Sequence, residues 1–232
     1  MNSDWTQRSI LKLAAWRQKY WLAKDYVNLI EPSRHALDAL LENTSNQFKH
    51  DRTTTVARVE LAGDHDTQVV IKRYNARNKW HTVKRALRKT RARRCWQMSY
   101  RFQQAGLNVA EPILMYEHRL GWLHGDAYFV NRFLEGEILL DALPDMETEQ
   151  QDQVIAAITR AFEIMRTERL SHGDMKASNL LWVGGELVFI DLDAARQHQS
   201  KLFWRRANRR DKKRFLKNWR GNKALLARFK DL

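Results

Sequence analysis

SHGDMKASNLLWVGGELVFIDLDAAR, residues 171–196, is the stretch on which the reading of this chain turns. Two short apolar runs, LLWV and LVFI, flank Gly184-Gly185. A Gly pair supplies the positive φ that a two-residue hairpin turn demands, so a tight β-hairpin is expected here. Asp174 and Asn179 precede the hairpin, five residues apart (179 − 174), and Asp191 follows it, twelve beyond Asn179 (191 − 179). A hairpin returns its second strand to where the first began, so Asp191 is expected in the same loop region as the other two.

One carboxylate, one amide and a second carboxylate in this order have a known chemical use. A loop carboxylate can accept the proton of an attacking hydroxyl, while Asn and Asp oxygens hold Mg²⁺ against nucleotide phosphates. Oxygen ligands suit that hard cation. Taken singly, each of the three is the kind of residue that closes a turn or ends a strand. What favours the chemical reading is the set, together with Lys72 in VVIKRY, 102 residues upstream of Asp174 (174 − 72). A lysine on a strand in that position pairs with the α and β phosphates in kinases. By the same route AYFVNRFLEGE, 127–137, is expected to be a hinge between two lobes, with the backbone of Arg132, Phe133 and Leu134 meeting adenine.

Working outward, TTTVARVEL and TQVVIKRY alternate as strands near 53–61 and 67–74 around the turn AGDHD. Residues 80–104 lack Gly and Pro and end at Gly106, which reads as a long helical region broken near Thr90. PILMYEH and DAYFVNRFL form a second strand pair, and 147–169 has helical periodicity. Residues 196–230 are basic and helical, and the first forty residues also read as helical, up to Pro32 and the cap Ser33. The expectation is an α+β chain of two lobes in a single domain. It comprises a helical extension over 1–45, a β-rich N-terminal lobe over 46–134 and an α-helical C-terminal lobe over 135–232.

With 41 basic against 27 acidic residues, the 232-residue chain carries a net charge of +14, and 44% of it is hydrophobic. That content excludes a disordered basic tail. The charge favours nucleic acid, an anionic membrane surface or a phosphorylated substrate as partner. Cys95 is the only cysteine, which excludes an internal disulfide, and no cysteine and histidine cluster has the spacing of a zinc site. No uncharged apolar run approaches the roughly 18 residues of a membrane span, and the N-terminal stretch lacks a secretory pattern. A soluble or peripheral protein of the cytoplasm is expected.

The segments KRYN, Trp80 and His81, RALRKTRARRCWQ, AGLNVAEPI, HGDMKASNLL and FIDLDAAR together resemble the lipopolysaccharide core kinase family, the Kdo/WaaP-type sugar kinases of Gram-negative bacteria. The resemblance covers about residues 45–220 and is specific at the superfamily level. It implies a protein-kinase-like fold that uses ATP and Mg²⁺ to phosphorylate a heptose or 3-deoxy-manno-octulosonic acid of the lipid A core oligosaccharide, at the inner face of the inner membrane. Carried over by motif, Asp174 is the catalytic base, Asn179 and Asp191 are metal ligands, and Lys72 is the phosphate-binding lysine. Lys176 stands two residues after the base, near the transferred phosphate. His172 reads as positioning the loop.

Two departures stand out. KHDRTTTVARVE has no glycine between 49 and 60, where protein kinases place a Gly-rich loop. Cys95 occupies the helix position of the glutamate that pairs with the lysine, and no acidic residue occurs between Thr67 and Ala110; Glu60 and Asp193 are the candidate substitutes. The basic clusters at 77–94, including Arg88, Arg91 and Arg94, and at 205–214 are expected to bind substrate phosphates or an anionic bilayer. Trp5, Trp16 and Trp21 are candidates for the headgroup level or for core. Rival readings are a weakly active kinase-fold module that binds membrane or nucleic acid, the latter less favoured, and a small-molecule kinase, against which the +14 charge argues.

Overall fold

The computed structural model describes residues 5–61, 67–75, 89–121, 123–230 and 232. The chain divides into two compact units, Met1–Gln97 with Glu111–Phe133 and Met98–Ala110 with Leu134–Leu232.

The first unit is built on a seven-stranded sheet. Its strands are β1 (Ile10–Ala14), β2 (Gln18–Ala23), β3 (Gln47–His50), β4 (Thr54–Leu61), β5 (Thr67–Tyr74), β7 (Pro112–Leu120) and β8 (Leu123–Arg132), in the order β1-β2-β7-β8-β5-β4-β3. All neighbours are antiparallel. The four strands read from alternation are present. The helical expectation for the first forty residues is corrected, because β1 and β2 are strands. Leu11 faces Leu22 and Leu13 faces Tyr20, and on the other side of β2 Tyr20 faces Tyr116 and Leu22 faces Leu114. These cross-strand apolar pairs outweigh the weak helical preference of the local sequence. Helix α1 (Arg34–Glu42) is where the Pro-Ser signal places it, with Ser33 Oγ accepting the Ala36 N–H at 3.2 Å. Its Leu37 and Leu41 bury against Ala57, Ile71, Ile113 and Val130 of the sheet.

Helix α2 (Arg91–Gln104) is the described part of the helical region expected over 80–104; residues 80–88, Arg88 among them, lie outside the described residues. It ends as Gly106 dictates. Gly106 has φ +86°, its N–H reaches Gln103 O at 2.9 Å, and the Leu107 N–H reaches Phe102 O at 2.9 Å. That bond pair closes a helix on a left-handed residue.

In the second unit β6 (Asn108–Val109), β9 (Glu137–Ile138), β11 (Leu180–Val183) and β12 (Glu186–Phe189) form a sheet in the order β6-β12-β11-β9. A short helix α3 (Leu139–Ala142) is followed by α4 (Thr148–Thr167), by the strand pair β10 (Leu170–Ser171) and β13 (Arg196–Gln197), and by α5 (Lys201–Lys217) and α6 (Lys223–Arg228). Helix α4 buries Val154, Ile158, Phe162 and Met165; α5 buries Trp204, Ala207 and Phe215. Phe215 is the hub. Its ring packs against Phe162 at 6.3 Å, Trp219 at 5.9 Å and Phe229 at 5.0 Å. The basic residues of α5 fall on its other face. A β-rich part followed by a helical part is the α+β architecture the sequence implies.

Candidate active site

The hairpin β11–β12 turns on Gly184 (φ +55°) and Gly185 (φ +84°), with Val183 facing Glu186 and Leu180 facing Phe189. At its open end the Ile190 N–H donates to Asn179 O at 3.0 Å. Asp191 is thereby held beside Asn179, as the spacing requires. Its backbone lies at φ 59°, ψ 58°, a left-handed conformation that Asp tolerates better than most residues but at a cost of roughly 1–2 kcal/mol. Such a cost is characteristic of a working site.

The loop before the hairpin is tied by side chains. The Asn179 Nδ2–H donates to the Asp174 carbonyl at 2.8 Å and reaches Asp174 Oδ2 at 3.5 Å. Lys176 Nζ stands 3.2 Å from Asp174 Oδ2, and Arg214 Nη1 stands 2.6 Å from Oδ1. Asp174, Lys176, Asn179 and Asp191 are thus brought into one constellation in the second unit. The Asn179 amide nitrogen is committed to Asp174.

His172 joins loop to hairpin. Its Nδ1 accepts the Asp174 N–H at 3.4 Å, so Nε2 carries the proton and donates to Ile190 O at 3.1 Å. The ring is fully buried between Phe102 and Phe189. Burial pushes its pKa down, against the pull of Asp211, Asp191 and Asp174, so the imidazole is a neutral bridge. Gly173 is required twice over: φ is +81°, and a Cβ would lie 2.5 Å from Ala194 O.

Two residues of α5 complete the loop: Asp211, which sequence reasoning did not single out, and Arg214, which it placed in the basic cluster at 205–214. Asp211 is buried and accepts the His172 N–H at 2.8 Å and the Gly173 N–H at 3.0 Å. One turn on, Arg214 donates to Gly173 O at 3.0 Å as well as to the Asp174 carboxylate. The signal was present. Asp211 is the sole acidic residue of the basic stretch 196–230, and it sits at the helical spacing of the apolar Trp204, Ala207 and Phe215.

The loop carries one carboxylate with cations beside it, and the hairpin returns Asp191 to Asn179, the residue types and order that phosphotransferases use. The family model for the lipopolysaccharide kinase (Kdo/WaaP) family matches residues 42–230. The chain belongs to the lipopolysaccharide kinase family. A solved structure described as "WaaP in complex with acyl carrier protein" is similar in fold, with a TM-score of 0.54 and 18% identity over 84% of this chain and 90% of that one. No curated protein matches the chain by sequence.

The first unit of this lipopolysaccharide kinase carries Lys72 on β5, facing Val56 and Phe129, with Nζ 5.5 Å from the centre of the Tyr74 ring. Cys95 is buried with Sγ 3.2 Å from Tyr74 Oη. Glu60 does not act as a substitute partner for Lys72: it faces Gln68 and accepts from its amide at 3.2 Å. Asp193 is buried in a 3-10 turn of the second unit. In place of a Gly-rich loop, Asp51 ties the β3–β4 turn by accepting the Thr53 and Thr54 N–H groups at 2.7 and 2.8 Å. Lys49 and Thr53 hold its carboxyl well below the usual range.

Of the expected hinge, the Arg132 N–H is taken by Glu111 O and the Phe133 N–H by Gln68 O, both at 2.9 Å. Within the described residues the Phe133 carbonyl and the Leu134 amide carry no hydrogen bond. Arg91 lies 4.7 Å over the Tyr74 ring, with Nη1 3.4 Å from Thr54 Oγ1; Arg94 is half-buried on α2. Of the three tryptophans, Trp5 is buried, Trp21 packs on Trp96, and Trp16 is 68% exposed.

Burial lowers the pKa of His172, His124 and His198. A histidine whose folded pKa lies below its ordinary value of about 6.5 binds its proton first in the unfolded chain. Its contribution to stability is therefore complete above that value and lost as pH falls through it. Asp211, raised by burial, acts in the opposite sense from the ordinary carboxylate value upward. The melting temperature is expected to fall between pH 7.5 and pH 5; a flat profile would contradict the neutral burial of these rings.

Proposed function

We propose that this lipopolysaccharide kinase transfers the γ-phosphoryl group of ATP to a hydroxyl of an inner-core sugar, a heptose or a 3-deoxy-manno-octulosonic acid. The observation that carries the reading is the convergence of Asp174, Asn179 and Asp191 through the β11–β12 hairpin. Asp174 accepts the proton of the acceptor hydroxyl as its oxygen attacks phosphorus. Lys176, 3.2 Å from that carboxylate, is placed to neutralise charge on the phosphoryl group as it leaves the nucleotide.

Asn179 Oδ1 and the Asp191 carboxylate are the residues that would hold Mg²⁺. Among the described residues no group of three His, Cys, Asp or Glu side chains forms a cage. Two oxygen donors still fit, because Mg²⁺ takes one or two protein oxygens and fills its octahedron with phosphate and water. Bound by these two residues, Mg²⁺ would supply charge neutralisation to the nucleotide phosphates. Lys72, in the first unit, serves the α and β phosphates, and the Phe133 carbonyl and the Leu134 amide are the backbone groups assigned to adenine.

Docking at an anionic inner-membrane face is supported by α5. Its exposed side carries Arg205, Arg206, Arg209, Arg210 and Lys213, and near its start Leu202 and Phe203 are 73% and 65% exposed. Cations beside exposed apolar groups suit a headgroup boundary. No described helix is long and apolar enough to cross a membrane.

Asp191→Ala tests the nucleotide half of the reading. Removing an anionic ligand should weaken Mg²⁺-dependent nucleotide affinity at least about tenfold and leave metal-free nucleotide binding nearly unchanged. Equal affinity in a Mg²⁺ titration of the variant would make Asp191 a structural residue.

A further inference from the structure

In the first unit Lys19 and Arg93 meet at Trp21, with Arg119 close enough to Lys19 to repel it, and the group is short of negative charge. Lys19 and Trp21 are two residues apart on β2 and so share a face of the sheet; Lys19 faces Glu117 of β7 in register. Lys19 Nζ lies 5.5 Å and the Arg93 guanidinium 5.3 Å from the centre of the Trp21 ring. Arg119 donates to Glu117 Oε2 from Nε at 3.0 Å and from Nη2 at 2.5 Å, and its Nη2 is 3.4 Å from His124 Nε2.

Among the described residues Glu117 is the one carboxylate of the cluster, and it is spent. It is fully buried, with Oε2 taken by Arg119 and Oε1 by the Thr90 hydroxyl at 2.7 Å. Among the described residues neither Lys19 nor Arg93 has a carboxylate within ion-pair distance, and Arg93 Nε is buried with no hydrogen-bond partner. Burial, then Arg93 and Arg119, push the Lys19 pKa down, which reports the mutual repulsion. His124, lowered by burial and by the same cations despite Glu117, adds a neutral ring. Three cations against one carboxylate leave two positive charges, matching a phosphate monoester at neutral pH better than a carboxylate.

We infer that Lys19, Arg93 and Arg119 form a binding site for a phosphate monoester in the first unit, whereas Asp174 belongs to the second. The site does not depend on the phosphotransfer reading. Its phosphate comes from a soluble molecule or from a lipid headgroup. Near it, Trp16 and Leu120 are 68% and 61% exposed at turns joined by the Gly121 N–H to Trp16 O bond of 2.9 Å.

Titration calorimetry of the full chain with inorganic phosphate tests the site, with phosphatidic acid vesicles as a second arm and phosphatidylcholine vesicles as blank. Lys19→Gln and Arg93→Gln should each weaken phosphate binding by about tenfold or more. Lys19→Arg should retain it, and Lys72→Gln, at the nucleotide site, should leave it unchanged. Loss of phosphatidic acid binding in the same two variants would place the phosphate on a lipid; loss for inorganic phosphate alone would place it on a soluble molecule. Absence of phosphate binding by the wild-type chain, or equal affinity in wild type, Lys19→Gln and Arg93→Gln, would overturn the assignment.

Discussion

Asp174→Asn is expected to lower phosphoryl transfer about 10²- to 10⁴-fold, the range that a positioned proton acceptor contributes, with nucleotide affinity close to that of the wild type. Asn has the size of Asp and can still accept from Arg214, so the loop retains its shape. What it lacks is the charge that draws off the hydroxyl proton. The nucleotide-binding roles proposed above belong to other groups, Asn179, Asp191 and Lys72, none of which is altered. Turnover by the variant with saturating acceptor, set beside its nucleotide affinity by calorimetry, separates the two effects. Wild-type turnover would remove Asp174 from the chemistry.

The second large effect falls on stability. Asp211→Ala removes the acceptor of the His172 and Gly173 N–H groups, bonded at 2.8 and 3.0 Å. Each buried donor left without a partner costs about 1–3 kcal/mol, so a loss of roughly 2–6 kcal/mol is expected, read as the urea midpoint. Asp211→Asn, which keeps one acceptor oxygen, should fall between the two. It should also slow transfer when fully folded, because Asp174 follows Gly173 directly and depends on that amide pair for its place. An unchanged midpoint in Asp211→Ala would show that the loop is held by other contacts.

The parts of this molecule that could be read in the sequence are those whose causes lie within a few residues. Gly184-Gly185 between two apolar runs specifies its own hairpin, and the returning strand carries Asp191 to Asn179 whatever the rest of the chain does. Gly106 ends α2 by its backbone alone, and Ser33 starts α1 by its hydroxyl. The β1–β2 hairpin was illegible because its reason is remote: Tyr20 and Leu22 are strand residues through Tyr116 and Leu114, nearly a hundred positions away. Asp211 was hidden by its setting among arginines and lysines, where a lone carboxylate reads as solvated surface. Its partners lie 39 and 38 residues upstream. Glu60 failed as a partner for Lys72 on register alone, since strand pairing sets it opposite Gln68.

The most direct measurement of the central claim is the mass of a core acceptor before and after reaction. Purified protein would be incubated with ATP, Mg²⁺ and lipid A–core oligosaccharide from cells lacking the protein, and the sugar region read by mass spectrometry. One added phosphate on an inner-core sugar, absent with Asp174→Asn, is the expected result. An acceptor of unchanged mass under conditions where the protein is folded and binds nucleotide would contradict the account.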